Sequence, residues 1–110
     1  MPGTIDAAAV EAAAAAANDR DRLQGAADRF ALLAEPGRLA VLVALRAAGA
    51  IAVSDLALAC GMNPPAVSQV LRLLRVSGVV KPTRSGRIVR YALCDERVVR
   101  LLDDAVPAHG

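Results

Sequence analysis

Residues 62–78 have the sequence MNPPAVSQVLRLLRVSG, which is the most informative segment of the chain about its architecture. Asn63 suits the start of a helix because its side-chain oxygen can accept a hydrogen bond from a first-turn amide. Pro64 fits the first helical position and Pro65 follows it, so two amide donors that would lack partners are absent from this helix start. Ala66 then offers the first free N–H to the cap. The pattern predicts a helix that begins after Asn63 and ends at the closing glycine.

This predicted helix has an apolar side and a polar side. Val67, Leu71 and Leu74 recur at intervals of four and three residues, which places them in one buried stripe. The polar side consists of Ser68, Gln69, Arg72 and Arg75, and the stretch contains no acidic residue. Gln69 can pair with an adenine edge, Arg72 can reach guanine or phosphate, and Ser68 can bond either a base or a phosphate. The pattern favours a helix that enters the major groove of DNA over an amphipathic helix whose arginines are merely solvated.

Two further helices are predicted before this one. Residues 34–49 carry a proline that suits a first turn and end with a glycine, and their leucines and valines make this the central core helix. Residues 53–61 form a short helix, with Ser54 as the predicted N-cap. Val53 and Leu58 occupy the positions of a hydrophobic staple at its start.

The chain after the quoted stretch changes from a helical period to a strand period. Residues 79–84 and 87–93 are predicted to pair as a β-hairpin, because Ser85-Gly86 between them is a turn signal. Pro82 has no amide donor for a neighbouring strand, so the first strand of the hairpin is predicted to lie at a sheet edge.

Both ends of the chain are predicted to be helical. Alanine, the best helix former, fills much of residues 5–34, where the NDRD at 18–21 is a point at which the helix can bend or divide. Residues 95–106 form a last helix with Asp95 as its cap. The 25 alanines of the chain add little buried area each, so a second copy is expected to complete the core. Residues 1–25 are therefore interpreted as a dimerisation arm, with a solvent-exposed helix as the alternative.

Together these elements predict a mainly α fold with a small β-hairpin (α+β), which is a dimeric winged helix-turn-helix. The domain is predicted to span residues 26–106, with residues 107–110 as a tail. In such a fold the hairpin is a wing whose tip meets the DNA backbone or the minor groove. A winged helix that docks onto another protein, and acts with a separate sensor or co-regulator protein, remains the alternative.

The charged residues are divided unevenly along the chain. Its formal charge is +2, yet residues 62–94 carry six basic residues and no acidic one, whereas the parts before and after this block are each net negative. A basic block without interspersed acids favours a polyanionic partner, here double-stranded DNA. The candidate DNA-binding residues are Asn63, Ser68, Gln69, Arg72, Arg75, Lys81, Arg84, Arg87 and Arg90.

Over residues 26–106 the sequence resembles the ArsR/SmtB family of bacterial winged-helix regulators. The resemblance rests on LLAEPGRLAVLVAL, on VSDLALACGMNPPAVSQVLRLLRVSGVV and on RSGRIVRYAL. It implies a homodimer formed through the first and last helices, which binds an inverted-repeat operator near its own promoter. Most members repress transcription and release DNA when an effector binds. Family members commonly carry His where this chain has Gln69 and Ser or Thr where it has Pro65, so its base preference is expected to differ.

The same resemblance bears on a metal effector, for which Ni or Zn would be the ion. One family site uses cysteines in a segment that corresponds to AIAVSDL here, which has no thiol. A second site lies on the last helix, where this chain keeps Asp95 but has Arg97 in place of a His ligand. The weak metal candidates are Asp95, Asp103, Asp104 and His109, with Asp95 more readily explained as a helix cap.

The remaining chemistry of the sequence is sparse. Cys60 is predicted to be a buried structural thiol and Cys94 to end a strand, and their spacing gives no support to a redox pair. A single His, no nucleophile–base pair and no Gly-rich phosphate loop argue against an enzyme. The start of the chain lacks the basic segment of a signal peptide, and no apolar run reaches the ~20 residues of a membrane span. A cytoplasmic protein is therefore expected.

Overall fold

The computed structural model describes residues 3–107, and the chain divides after Ala31 into two compact units. The first unit contains helix α1 (Ala7–Ala17) and most of helix α2 (Arg20–Leu33). α1 has no buried residue. The predicted helix over 5–34 is thus two helices, and the division falls in the NDRD segment as expected. Asp19 explains it, because its carboxylate accepts a hydrogen bond from the amide of Arg22 at 3.2 Å and starts a new helix.

The second unit contains four helices and a three-stranded antiparallel sheet within residues 32–107. They are α3 (Pro36–Ala48), β1 (Ile51–Ala52), α4 (Val53–Cys60), α5 (Pro64–Val76), β2 (Val80–Ser85), β3 (Ile88–Leu93) and α6 (Glu96–Ala105). The strand order is β1-β3-β2, so β2 is an edge strand, as Pro82 predicted. The two-residue strand β1 was not predicted, because two residues are too few to show an alternating pattern.

The hairpin turn lies one residue later than predicted. Ser85 pairs with Ile88, so the two turn residues are Gly86 and Arg87 rather than Ser85 and Gly86. Gly86 has a φ of 63°, a backbone angle that residues with a Cβ rarely adopt. The turns of two-residue hairpins require a residue with positive φ, and glycine meets this requirement. The turn therefore places Arg87 at the tip of the wing.

The start of α4 also differs from the prediction. The helix begins at Val53 with Ala52 at the cap position, so Ser54 lies inside the helix and does not cap it. The cause is β1, which ends at Ala52 and runs directly into the helix. Leu58 is 82% exposed, so the predicted staple between Val53 and Leu58 is wrong.

The core of the second unit is built around α3, as its apolar sequence predicted. Val41, Leu42 and Leu45 of α3 are at most 1% exposed. The other buried residues come from α4, α5, β2 with the residue before it, and α6; they are Leu56, Ala57, Val67, Leu71, Leu74, Val79, Val80, Val98 and Leu102. This packing holds α4 and α5 against α3 and leaves the opposite side of α5 in solvent.

Candidate nucleic-acid interface

The start of α5 is fixed by the cap that the sequence predicted. The Asn63 side-chain oxygen accepts a hydrogen bond from the Ala66 amide at 2.9 Å. Pro64 and Pro65 occupy the first two helical positions, so Ala66 is the first residue that can donate to the cap. Asn63 is itself exposed, and its amide group keeps donors available for a ligand.

Asn63→Ala is expected to lower the free energy of unfolding by about 1 kcal/mol, because the capping acceptor is lost. Urea unfolding of the full chain measures this change. Asn18→Ala is the matched control, since the cap at the end of α1 uses the Asn18 backbone amide rather than its side chain. Equal losses in the two variants would contradict the capping role of Asn63.

α5 buries one side and exposes the other, as predicted. Val67, Leu71 and Leu74 are at most 2% exposed. The predicted contacts Ser68, Gln69, Arg72 and Arg75 are all exposed. The outer side also carries Val76, which is 82% exposed and lies two turns after Gln69. Sequence reasoning missed this apolar group, which is of the kind that can contact a thymine methyl in the major groove.

The basic residues of the candidate interface are free of acidic partners. Within residues 3–107, the ion pairs found join Arg22 to Asp19 and Arg46 to Asp103, and none involves a basic residue of the 62–94 block. The six basic side chains Arg72, Arg75, Lys81, Arg84, Arg87 and Arg90 are all exposed. Their charges are therefore available to a polyanion without the loss of an existing ion pair.

The wing divides its basic residues between two faces. Arg90 pairs with Thr83 across the hairpin. Because successive side chains of a strand point to opposite faces, Lys81 shares the face of Arg90, whereas Arg84 and Tyr91 lie on the other face. The nine predicted contacts thus do not form one flat surface, and a duplex on the Tyr91 side meets Arg84 before it meets Lys81 or Arg90.

The structure brings three predicted contacts together in a small pocket. Ser68, Arg72 and Arg75 line it with Val53, Leu71 and Tyr91, and its volume is about 200 Å³. Tyr91 is not among the predicted contacts, and it is half-buried. No sequence pattern marks it as a pocket residue, because its position follows from the packing of β3 beside α4 and α5.

The metal candidates are not assembled into a cluster. Among residues 3–107 there is no group of three or more His, Cys, Asp or Glu side chains that could hold a metal ion. Asp95 caps α6 and accepts hydrogen bonds from the amides of Arg97 at 2.9 Å and Val98 at 3.3 Å. Asp104 is exposed, and His109 lies outside the described residues.

Asp103 is engaged by an arginine of α3. The Nε and Nη2 atoms of Arg46 donate to its two carboxylate oxygens at 3.0 and 3.1 Å. These hydrogen bonds lower the pKa of Asp103 and raise the pKa of Arg46. Metal binding by Asp103 would compete with this pair.

The two thiols have different surroundings. Cys60 is only half-buried, so the prediction that its thiol is fully buried is wrong. Cys60 is the last residue of α4, and the end of this helix is open to solvent. Its thiol donates to the Ala40 carbonyl at 3.9 Å, and burial raises the pKa of the thiol. Cys94 is exposed and donates to the Gly78 carbonyl at 3.4 Å.

Comparison with known proteins finds matches in sequence and in structure. The model for "Bacterial regulatory protein, arsR family" matches residues 35–81. Over 74 residues the chain is 49% identical to the HTH-type transcriptional regulator NmtR of Mycobacterium tuberculosis, a match that covers 67% of this chain and 61% of NmtR. The chain thus spans about three fifths of the length of that relative.

Two solved structures share the fold. The antimony-specific transcriptional repressor AntR superposes with a TM-score of 0.74 at 32% identity, covering 83% of this chain and 86% of AntR. A homodimeric winged helix-turn-helix DNA-binding domain from Mycobacterium bovis superposes with a TM-score of 0.67 at 30% identity, covering 96% of this chain and 86% of that domain. The predicted winged helix-turn-helix fold is confirmed.

Proposed function

Because this chain belongs to the bacterial ArsR family of regulatory proteins, we propose that it is a homodimeric transcriptional repressor that binds an inverted-repeat DNA operator. The family membership supports the predicted class of protein, a DNA-binding regulator. The observation that carries the proposal is the outer side of α5 together with the wing. There, exposed basic side chains stand without acidic partners on elements that a packed core holds in place.

The proposed binding mode follows from the fold. α5 lies in the major groove with Gln69 toward the base edges, and the wing tip at Arg87 meets the backbone or the minor groove. A two-fold dimer places its two α5 helices in successive major grooves, about 34 Å apart along the duplex. An operator of two inverted half-sites separated by one helical turn is the expected target.

Duplex binding across a series of salt concentrations tests this function. The wild-type protein is expected to select an inverted repeat from a random pool of duplexes. Its affinity for that operator should fall about a thousandfold or more between 50 and 200 mM salt, because six or more phosphate contacts release counterions. An affinity that does not depend on salt, or that is the same for the selected and random duplexes at all salts, would refute the proposal.

Gln69→Ala is expected to reduce the preference among operator variants at one base pair per half-site by about 1–3 kcal/mol, because the adenine contact is lost. Binding to a set of operators, each with one base pair changed, measures this preference. The matched control is Gln24→Ala, since Gln24 lies on α2 and donates to Asp28 at 2.8 Å. An unchanged preference profile in Gln69→Ala would show that another residue reads this base pair.

The effector stays a prediction. Residues 3–107 of one chain do not fit a Ni or Zn site, since they hold no cluster of three potential ligands and Asp95 and Asp103 already have partners. A bound metal would therefore need His109, a second protomer or both. Titration of the protein–operator complex with Ni²⁺ and Zn²⁺, followed by fluorescence anisotropy, tests whether either ion releases the DNA.

A further inference from the structure

The pocket between α4, α5 and β3 has the chemistry of an anion site. Two of its lining residues are arginines, Ser68 and Tyr91 add hydroxyl groups, and no carboxylate is among its lining residues. Within residues 3–107, neither arginine pairs with an acidic side chain. Two like charges beside each other and free of partners repel, and a bound anion would relieve that repulsion.

The size of the pocket limits what it can hold. Clefts that bind organic ligands are commonly about 300–1,000 Å³, whereas this pocket is about 200 Å³. It therefore suits a single phosphate-sized group rather than a nucleotide or a drug-sized effector. Val53 and Leu71 form its apolar part, and Leu71 is only 2% exposed, so the rigid core supports this wall.

The start of α4 lies beside the pocket, because Val53, its first residue, is one of the lining residues. α4 begins at Val53, and its cap residue Ala52 makes no side-chain hydrogen bond to the first-turn amides. Helix starts with uncapped amides favour anions, because the free N–H groups and the helix dipole both present positive charge. The start of α4 therefore adds to the positive potential that Arg72 and Arg75 give the pocket.

We propose that this pocket holds one phosphodiester group of the DNA backbone in each half-site, with Ser68, Arg72, Arg75 and Tyr91 as its contacts. The inference rests on the proposed DNA-binding function and deepens it. It assigns Arg72 to a phosphate rather than to guanine, and it adds Tyr91 to the interface. The phosphate held here fixes the position of α5 along the groove, while base reading is left to the side of the helix that carries Gln69.

The first test uses DNA binding by conservative variants. Tyr91→Phe keeps the ring and removes only the hydroxyl. It is expected to lower the affinity for a random duplex and for the selected operator by the same factor, about threefold to tenfold. The salt slope should not change, because a hydroxyl releases no counterion. Arg75→Ala should lower the affinity for both duplexes at least about tenfold. It should also reduce the slope of log affinity against log salt concentration by about one per protomer. Ser68→Ala removes the other hydroxyl group of the pocket at an exposed position, and it is expected to weaken binding to both duplexes by a similar factor.

The second test uses inorganic phosphate alone, observed by NMR on the ¹⁵N-labelled protein. Saturable shifts are expected for the amides of Val53 and Tyr91, lost in Arg75→Ala and retained in Arg84→Ala. Phosphate binding without any effect of the pocket variants on DNA affinity would assign the pocket to a free anion and overturn the proposal. So would a loss of operator preference in Tyr91→Phe or Arg75→Ala that exceeds the loss of affinity for random duplex.

These outcomes are separable from failure of the proposed function. The wild-type protein could bind duplex DNA with a steep salt dependence while the Tyr91→Phe, Ser68→Ala and Arg75→Ala variants bind equally well. That outcome would support the DNA-binding function and refute the phosphate pocket. A wild-type protein that binds no duplex at any salt overturns the DNA-binding function, and the phosphodiester assignment with it.

Discussion

The double variant Arg72→Glu, Arg75→Glu is expected to lose at least about a thousandfold in affinity for any DNA duplex while it remains folded. In a dimer these changes remove four charge-assisted contacts, each contributing about 1.5–3 kcal/mol, and place four carboxylates against phosphates. Both side chains are exposed and, within residues 3–107, pair with no acid, so the fold has little to lose. Fluorescence anisotropy with a labelled duplex measures the loss, and circular dichroism checks the fold.

A variant of identical charge gives the control for this prediction. Arg97→Glu, Arg100→Glu changes two exposed arginines of α6 and, like the first variant, takes the formal charge of the chain from +2 to −2. It is expected to weaken duplex binding far less, since only the long-range field of the protein changes. Analytical sedimentation measures the oligomeric state of both variants, so that the affinities compared are those of the same oligomer. Equal losses would mean that net charge, and not the position of the arginines on α5, governs binding.

The parts of the fold that were predictable from sequence are those governed by local chemistry. The cap at Asn63 and the cap at Asp95 both occur as predicted, because a side-chain acceptor and the amides it bonds lie within three residues of each other. The stripe of Val67, Leu71 and Leu74 is buried because its spacing matches the helical period. In each case the interaction spans one or two helical turns, so the sequence contains all of it.

The features that sequence reasoning missed depend on contacts between distant segments. Ser54 has a good capping side chain, yet Ala52 is the cap because pairing with β3 holds residues 51–52 as a strand up to the start of α4. Leu58 is exposed because the side of α4 that faces the core is fixed by Leu56 and Ala57.

The candidate interface shows the same division. The charge block and the acid-free helix could be found by counting residues along the chain, and the turn of the wing was predicted to within one residue. The pocket could not, because Tyr91 and Arg75 are 16 residues apart in sequence and lie on elements of different type. The pairing of Ile51 with Tyr91 sets the position of β3 relative to the start of α4, and only the folded sheet contains that information.

Leu42→Ala is expected to lower the free energy of unfolding by about 3 kcal/mol, within the 2–5 kcal/mol range for such truncations. Leu42 is fully buried in α3 and belongs to the cluster that unites α3 with α4, α5 and α6. Alanine is an excellent helix former, so the loss reflects the cavity and the lost burial rather than helix propensity. Urea unfolding at one fixed protein concentration measures it, because stability of a dimer depends on concentration.

Leu58→Ala makes the identical chemical change at the 82% exposed leucine of α4, and its effect is expected to stay within about 0.5 kcal/mol. The pair of variants separates burial from the loss of a leucine as such. It also bears on function, because the core that includes Leu42 supports the exposed side of α5. A Leu42→Ala protein should bind DNA normally at temperatures where it remains folded and lose binding as it unfolds. If Leu58→Ala proved as destabilising as Leu42→Ala, Leu58 would have to be covered, and the orientation of α4 described here would be incorrect.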